Sequence, residues 1–368
     1  MMRLKIKLLV VFYKLIIFYK KVVNFFSKRI FKKPTNDRNA TAMNNKVIND
    51  AAGKIGVSIR KMPHGYFQLK YDNSVHYSKS ADFSFENLMA YKMCGNKLLT
   101  STILAENEIP VPVFKAFSQD DYDRALEFFL SRNKPVVVKP CSGTSGGKGI
   151  TVGVSSPSAF AHSFAKALCF SISVMVEDFE KGEDYRFTVL NGRVLTVVKR
   201  LPAYVAGDGV NNIGSLISLK NKAFFDPTAD SKMFCTITVD ADLVMCLNDQ
   251  CLTLKSIPEK GKKVCLRKMS NASQGGEVLE VTEQCHSDYL KMAVRAANLM
   301  KTKLSGVDFI IEDIRCPYER GKTFINEVNT TPALYIVREP GVNGVINSKV
   351  GEEILKYVFD IVTSSDDD

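Results

Sequence analysis

In the run Val136-Val137-Val138-Lys139-Pro140-Cys141-Ser142-Gly143-Thr144-Ser145-Gly146-Gly147-Lys148-Gly149-Ile150-Thr151-Val152-Gly153-Val154, two β-branched stretches flank a glycine-rich loop. This predicts strand, loop, strand. The loop offers glycine N–H groups, hydroxyls and the Lys148 ammonium, which together suit a polyphosphate. Lys139, ending the first strand, adds a positive charge beside it. A Walker loop is excluded, because that motif needs Gly at position 142, Ser or Thr at 149 and a helix afterwards. Ser142, Gly149 and a strand occupy those places. A glycine loop alone is often no more than a flexible turn, so its meaning depends on its surroundings.

Downstream, Ser156-Pro157 predicts a helix start, with serine as cap and proline where no N–H is needed. A strand is expected over 173–177, and a hairpin over 185–190 and 193–199 turning at Asn191-Gly192. Residues 287–300 have helical spacing, with Tyr289, Met292, Ala293, Ala296 and Leu299 on one face. Two short strands follow, over 307–311 and 323–328. Upstream, residues 120–131 and 84–107 predict helices, the latter broken near Gly95 and stopped by Ile109-Pro110-Val111-Pro112. Residues 47–77 predict a small lobe of one helix and a few strands, and 34–40 a polar linker.

Glu327-Val328-Asn329 places a carboxylate and an amide two residues apart, hence on one face of a strand. With Asp308 on the neighbouring predicted strand, these form an oxygen donor set suited to magnesium. Three polar groups on unrelated strands would look the same in isolation.

The formal net charge of +11 is concentrated at the start of the chain. Residues 1–33 hold ten basic side chains and no acidic one, which leaves +1 for the remainder. The balanced body gives no support to a nucleic-acid-binding role. Residues 8–26 are apolar and aromatic but interrupted by Lys14, Lys20 and Lys21, too broken for a spanning helix. A helix lying on an anionic membrane surface is expected, with about 1 kcal/mol of attraction per basic residue. A targeting peptide and a body-docked helix are the alternatives. Nine scattered cysteines without a CxxC pair point to a reducing compartment and against structural zinc. Cys141, beside the loop, has no base near it in sequence and reads as structural.

Together these segments resemble the ATP-grasp superfamily, in particular the ligase region of cyanophycin synthetases and bifunctional glutathione synthetases. The likeness runs over about residues 87–350. It is carried by Asn96-Lys97 with Thr100, Val138-Lys139-Pro140 with the glycine loop, and Val176-Glu177 with Gly182 and Asp184-Tyr185-Arg186. It continues in Arg200-Leu201-Pro202-Ala203 with Gly207-Asp208-Gly209, Asn271 and Ser273 with Gly275-Gly276, Gly306-Val307-Asp308, and Glu327-Val328-Asn329 with Pro332.

The resemblance implies an α+β ATP-grasp fold, two lobes gripping ATP, with a small N-terminal lobe and a basic apolar leader helix. The expected organisation is a leader at 1–33, an N-terminal lobe and helical region at 34–130, lobe A at 131–205, lobe B at 206–363 and an acidic tail at 364–368. Lys97, Lys139, Ser142, Gly146, Gly147 and Lys148 would contact nucleotide phosphates, Glu177 would face adenine, and Asp184 would hold the ribose. Asp308, Glu327 and Asn329 would bind Mg2+, with Mn2+ as the alternative ion. Arg186, Arg200 and Arg267 would stabilise charge in catalysis.

The implied activity is an ADP-forming carbon–nitrogen ligase, in which a carboxylate takes the terminal phosphate of ATP and an amine then displaces it. An ATP-grasp kinase and a membrane-attached nucleotide-binding protein without turnover are the alternatives. The Mur-ligase-like half of cyanophycin synthetases is not in this sequence, so one bond per active site is expected. Residues 204–212, 267–276 and 330–338 are expected to set specificity for small-molecule or peptide substrates. A cytoplasmic location, peripheral to the inner face of the membrane, is expected.

Overall fold

The computed structural model describes residues 6–12, 14–15, 40–144, 146–225, 235–270, 274–336 and 348–361. Residues 34–39 of the expected linker, most of the leader, Asn271, Ser273 and the acidic tail lie outside the described residues, and residue 40 already belongs to a helix.

In chain order, a first unit holds α1 (Ala40–Ile55) and strands β1 (Ser58–Lys61), β2 (Phe67–Tyr71), β3 (Ser74–Lys79) and β4 (Asp82–Phe83), which pair in that order as one antiparallel sheet. Two short helices follow, α2 (Leu88–Cys94) and α3 (Lys97–Glu106). Asn87 and Asn96 cap them, each side chain accepting from a backbone N–H three residues on.

The glycine-loop run then forms β6 (Val136–Pro140) and β7 (Thr151–Val154). With β5 (Phe114–Ser118) and β8 (Ser173–Asp178) they make an antiparallel sheet of order β5-β8-β6-β7. Helices α4 (Tyr122–Ser131) and α5 (Pro157–Leu168) cover one face, burying Phe160 and Phe164 against Val136, Val138, Val174 and Val176. Ser156 caps α5, accepting from Ala159 N–H at 3.2 Å. Side-chain alternation turns Lys139 and Glu177 to the opposite face.

A second sheet has order β13-β10-β9-β14-β15 and is antiparallel throughout. Its strands are β9 (Glu183–Leu190), β10 (Arg193–Leu201), β13 (Glu277–Glu280), β14 (Leu304–Ile311) and β15 (Thr323–Asn329). Asn191 and Gly192 both have positive φ, 42° and 81°, as a two-residue hairpin turn requires. Helix α8 (Ser287–Leu299) covers one face, packing Tyr289, Ala293 and Ala296 on Phe187, Val307 and Phe309. Between β10 and β13 the chain forms β11 (Tyr204–Ala206), α6 (Ile213–Phe225), α7 (Ala241–Asn248) and β12 (Lys263–Cys265), a subdomain with its own small core. The last helix among the described residues, α9 (Ser348–Val358), returns to α1. Gly351 makes that approach possible, since a Cβ there would stand 2.8 Å from Ala51 Cβ and 2.9 Å from the Val47 carbonyl.

Strand pairing divides the chain elsewhere than the expected boundaries at 131 and 205. β5, expected in the N-terminal region, is an edge strand of the first sheet. β9 and β10, expected in lobe A, belong to the second sheet. Local patterning identifies a strand but not its long-range partner. In the leader, residues 6–12 and 14–15 are helical, with Ile6 and Val10 buried against the core behind the first sheet. No helix among the described residues is long and apolar enough to cross a membrane.

Candidate active site

The face of the first sheet that carries Lys139 and Glu177 looks onto the second sheet, and α3 brings Lys97 to the same place. Lys97 is anchored at both ends: its N–H donates to the Cys141 carbonyl at 2.8 Å, and its ammonium pairs with Glu327. Lys139 Nζ lies 2.7 Å from Glu177 Oε1 and donates to Asn326 Oδ1 at 3.2 Å. Both lysines therefore bridge towards the hairpin that carries the predicted metal ligands.

On the second sheet, register does the assembling. Asp308 stands opposite Arg186 on one neighbouring strand and Glu327 on the other, Gly306 stands opposite Asn329, and Asp184 stands opposite Arg200. Cross-strand partners share a face, so Asp184, Arg186, Arg200, Asp308, Glu327 and Asn329 project together. Arg186 clamps Asp308 with two parallel bonds, Nη2 donating to Oδ2 at 2.8 Å and Nε to Oδ1. Arg200 joins two carboxylates, with Nε donating to Asp184 at 2.8 Å and Nη2 lying 3.0 Å from Asp308 Oδ2. Gly306 leaves room for this clamp, because a Cβ there would lie 2.8 Å from Arg186 Cδ and Nη1.

Burial raises the Glu177 carboxyl above its ordinary range despite Lys139. Burial also acts upward on Asp308, but Arg186 and Arg200 outweigh it and hold that carboxyl below the usual range. Burial works against the Arg200 charge, yet Asp184 and Asp308 raise its affinity for the proton. Cys141 is buried and its thiol is pushed upward by burial, which suits a structural thiol and not a nucleophile. Lys97, Lys139, Arg186 and Arg200 thus face Glu177, Asp184, Asp308 and Glu327 in a balanced cluster. A polyphosphate accompanied by a hard cation would match both halves of it, the lysines exchanging a carboxylate for phosphate oxygens and the carboxylates an ammonium or guanidinium for the metal.

The donor chemistry of Asp308, Glu327 and Asn329 fits Mg2+ or Mn2+, being two carboxylates and an amide on adjacent strands. The Asp308 and Glu327 carboxylates are engaged by Arg186, Arg200 and Lys97, so their ligation requires that exchange of partners. Among the described residues no three His, Cys, Asp or Glu side chains are grouped as a metal site, and the third donor here is an amide.

Asn326 is a site residue that sequence reasoning missed. Strict alternation would turn it away from Glu327. The β14–β15 register, however, slips between Asp308 and Phe309, with Glu327 and Ile325 as their partners and Asn326 left between. This bulge re-aims Asn326 towards Lys139, and only a break in alternation would have signalled it.

Arg267 is not brought into this cluster. It is 4% exposed and held by Asp240, with Nη1 at 2.6 Å and Nη2 at 3.0 Å, and by the Thr238 carbonyl at 2.8 Å. It lines a separate cavity of about 120 Å³ with Thr151, Lys166, Asp242, Lys268 and Gln274. In the glycine loop, Gly146 and Lys148 are exposed, Ser142 is bridged to Asn96, and Gly143, Gly146, Gly147 and Gly149 have positive φ. At Gly149 a Cβ would also meet Phe170 and Pro140 at 2.8 Å. Asp313 sits apart in a turn, paired with Arg315 at 2.8 Å.

Two α+β lobes meeting at this cluster make up an ATP-grasp fold. The chain's relatives are bifunctional. Over 310 residues it is 33% identical to the glutathione biosynthesis bifunctional protein GshAB of Listeria welshimeri, covering 83% of this chain and 39% of that protein. Against the same protein of Clostridium perfringens it is 33% identical over 298 residues, 80% of this chain and 38% of the relative. The crystal structure of a bifunctional glutathione synthetase from Pasteurella multocida matches with a TM-score of 0.60 at 28% identity, covering 87% of this chain and 44% of that one. The chain thus spans about two-fifths of the length of the curated relatives it matches. No family model matches it.

Proposed function

We propose that this chain is an ADP-forming carboxylate–amine ligase that uses ATP and Mg2+ to make an amide or peptide bond through an acylphosphate. The observation that carries the reading is the exchange-ready cluster, in which Lys97 pairs with the predicted metal ligand Glu327, while Lys139 of the first sheet pairs with Glu177 and reaches across to Asn326 beside that ligand. In the proposed mechanism Lys97 and Lys139 bind the phosphates, and the glycine loop closes over them and keeps water from the acylphosphate. Asp184 and Glu177 hold the nucleoside. The metal, held by Asp308, Glu327 and Asn329, supplies neutralisation of phosphate charge when bound. Arg186 and Arg200 set the orientation of Asp308 and neutralise charge as the carboxylate oxygen attacks phosphorus and ADP departs. The amine nitrogen then attacks the acyl carbon, phosphate leaves, and the amine proton is released.

The relatives' role in glutathione biosynthesis supports small-molecule or peptide substrates, and ligation over the kinase alternative. The proposal includes a peripheral position on the inner face of a membrane, supported by ten basic and no acidic residues in 1–33. The chemistry is tested by incubating the protein with Mg-ATP, pools of carboxylic acids and hydroxylamine. Hydroxamate formation that is lost in Glu327→Gln supports acylphosphate formation. ADP release with stable phosphorylated product and no hydroxamate identifies a kinase instead.

A further inference from the structure

The helical residues 6–12 and 14–15 carry two apolar stripes, and the core explains only one of them. Ile6 and Val10, 1% and 5% exposed, join the cluster of Phe128, Phe160 and Phe164 behind the first sheet. The Val10 carbonyl also accepts from Cys169 Sγ at 3.7 Å. On the other side Leu8, Val11, Phe12 and Leu15 are 63%, 54%, 56% and 61% exposed. Their spacing of three, four and seven residues is that of a single helical stripe. Leu8, Val11 and Leu15, large apolar side chains this exposed within eight residues, form a patch that the core of the described residues does not use. Lys7 and Lys14, both exposed, lie on the same short helix, in a segment with ten basic and no acidic residues.

Resting on the membrane position proposed above, we infer that Leu8, Val11 and Leu15 insert into the interface of an anionic bilayer, while Ile6 and Val10 hold the same helix on the back of the first lobe. Charge selects this occupant. Two copies meeting through the stripe would bring two strongly basic segments together, whereas anionic headgroups complement them. Because the docked stripe packs with α4 and α5, on the sheet face opposite Lys139 and Glu177, the bilayer lies behind the first lobe and the site faces the aqueous phase. Attachment then leaves substrate access open.

The chain has no tryptophan, so a single introduced indole reports its own surroundings. Leu15→Trp is to be compared with Ile257→Trp, a 59% exposed position in the subdomain between β10 and β13. Each is titrated with phosphatidylcholine vesicles with and without phosphatidylglycerol. The expected result is a blue shift for Leu15→Trp with anionic vesicles only, and none for Ile257→Trp. In the full chain, Leu8→Gln/Val11→Gln/Leu15→Gln should weaken co-sedimentation with anionic vesicles at least roughly tenfold, about 1.4 kcal/mol, at unchanged unfolding midpoint. Undiminished binding by this triple variant overturns the inference while the membrane position stands on the basic segment alone. No binding of the unaltered chain to either vesicle overturns both. A self-association lost in the triple variant makes a second copy the occupant and overturns the bilayer assignment.

Discussion

Replacing Arg186 by methionine tests whether the cluster is held by mutual charge compensation. Arg186 is 11% exposed, Asp308 is 5% exposed, and the guanidinium makes two bonds to the carboxylate. Removing one member of a buried pair costs about 3–5 kcal/mol because the other charge is left without its partner. Here Arg200 keeps its 3.0 Å contact with Asp308 Oδ2, so the low end, about 3 kcal/mol, is expected. Asp308→Asn alone leaves Arg186 uncompensated and should cost a similar amount, about 2–3 kcal/mol. The double variant replaces both partners by neutral groups of like shape, and should lose only about 2 kcal/mol, a coupling of about 3–4 kcal/mol. Urea unfolding followed by circular dichroism measures all four corners, with unchanged slopes as the check on two-state behaviour. Additivity within about 0.5 kcal/mol would refute the reasoning, because independent sites behave that way.

Gly306→Ala should destabilise by about 1–3 kcal/mol through overpacking against Arg186, and the loss should shrink in an Arg186→Met background, read by the same unfolding assay. Glu177, whose folded-state affinity for the proton is raised by burial, contributes stability that is present below its unfolded value of about 4.3 and lost as pH rises through the folded value. Denaturation midpoints across the acid range should therefore show wild type losing ground to Glu177→Gln as pH increases, and the opposite trend would mean that Lys139 outweighs burial. Lys97→Met should weaken ATP binding by at least roughly tenfold in calorimetric titration, about 1.4 kcal/mol. Arg267→Lys, acting on the bidentate contact to Asp240, should lower stability by about 1–2 kcal/mol and leave ATP affinity unchanged.

The strands that carry the site were legible because their signals are local. The hairpin at Asn191-Gly192, the cap at Ser156 and the spacing of Glu327 and Asn329 each follow from backbone chemistry within a few residues. What was not legible depends on partners far away in sequence. Nothing near residue 114 says that β5 pairs with β8, and nothing in Glu183–Leu190 says that it joins β14 and not the glycine-loop strands. The subdomain between β10 and β13 is not legible because its short helices α6 and α7 and strands β11 and β12 lie far apart in the sequence and share no single period. At the site, residue types revealed the cations and carboxylates but not who neutralises whom. Asn326 needed the bulge, and the engagement of Arg267 with Asp240 needed the fold of that subdomain. The basic and apolar character of the leader is legible in the sequence, but its second apolar stripe is visible only because Ile6 and Val10 are used in packing.

The most direct test of the central claim is ADP and phosphate release by the purified chain with Mg-ATP, against pools of amino acids and acidic acceptors, with Glu327→Gln alongside. Release that requires both a carboxylate and an amine, and disappears in Glu327→Gln, is the predicted result. Release that proceeds without any amine while the phosphoryl group stays on the product, or that survives Glu327→Gln, would contradict the account.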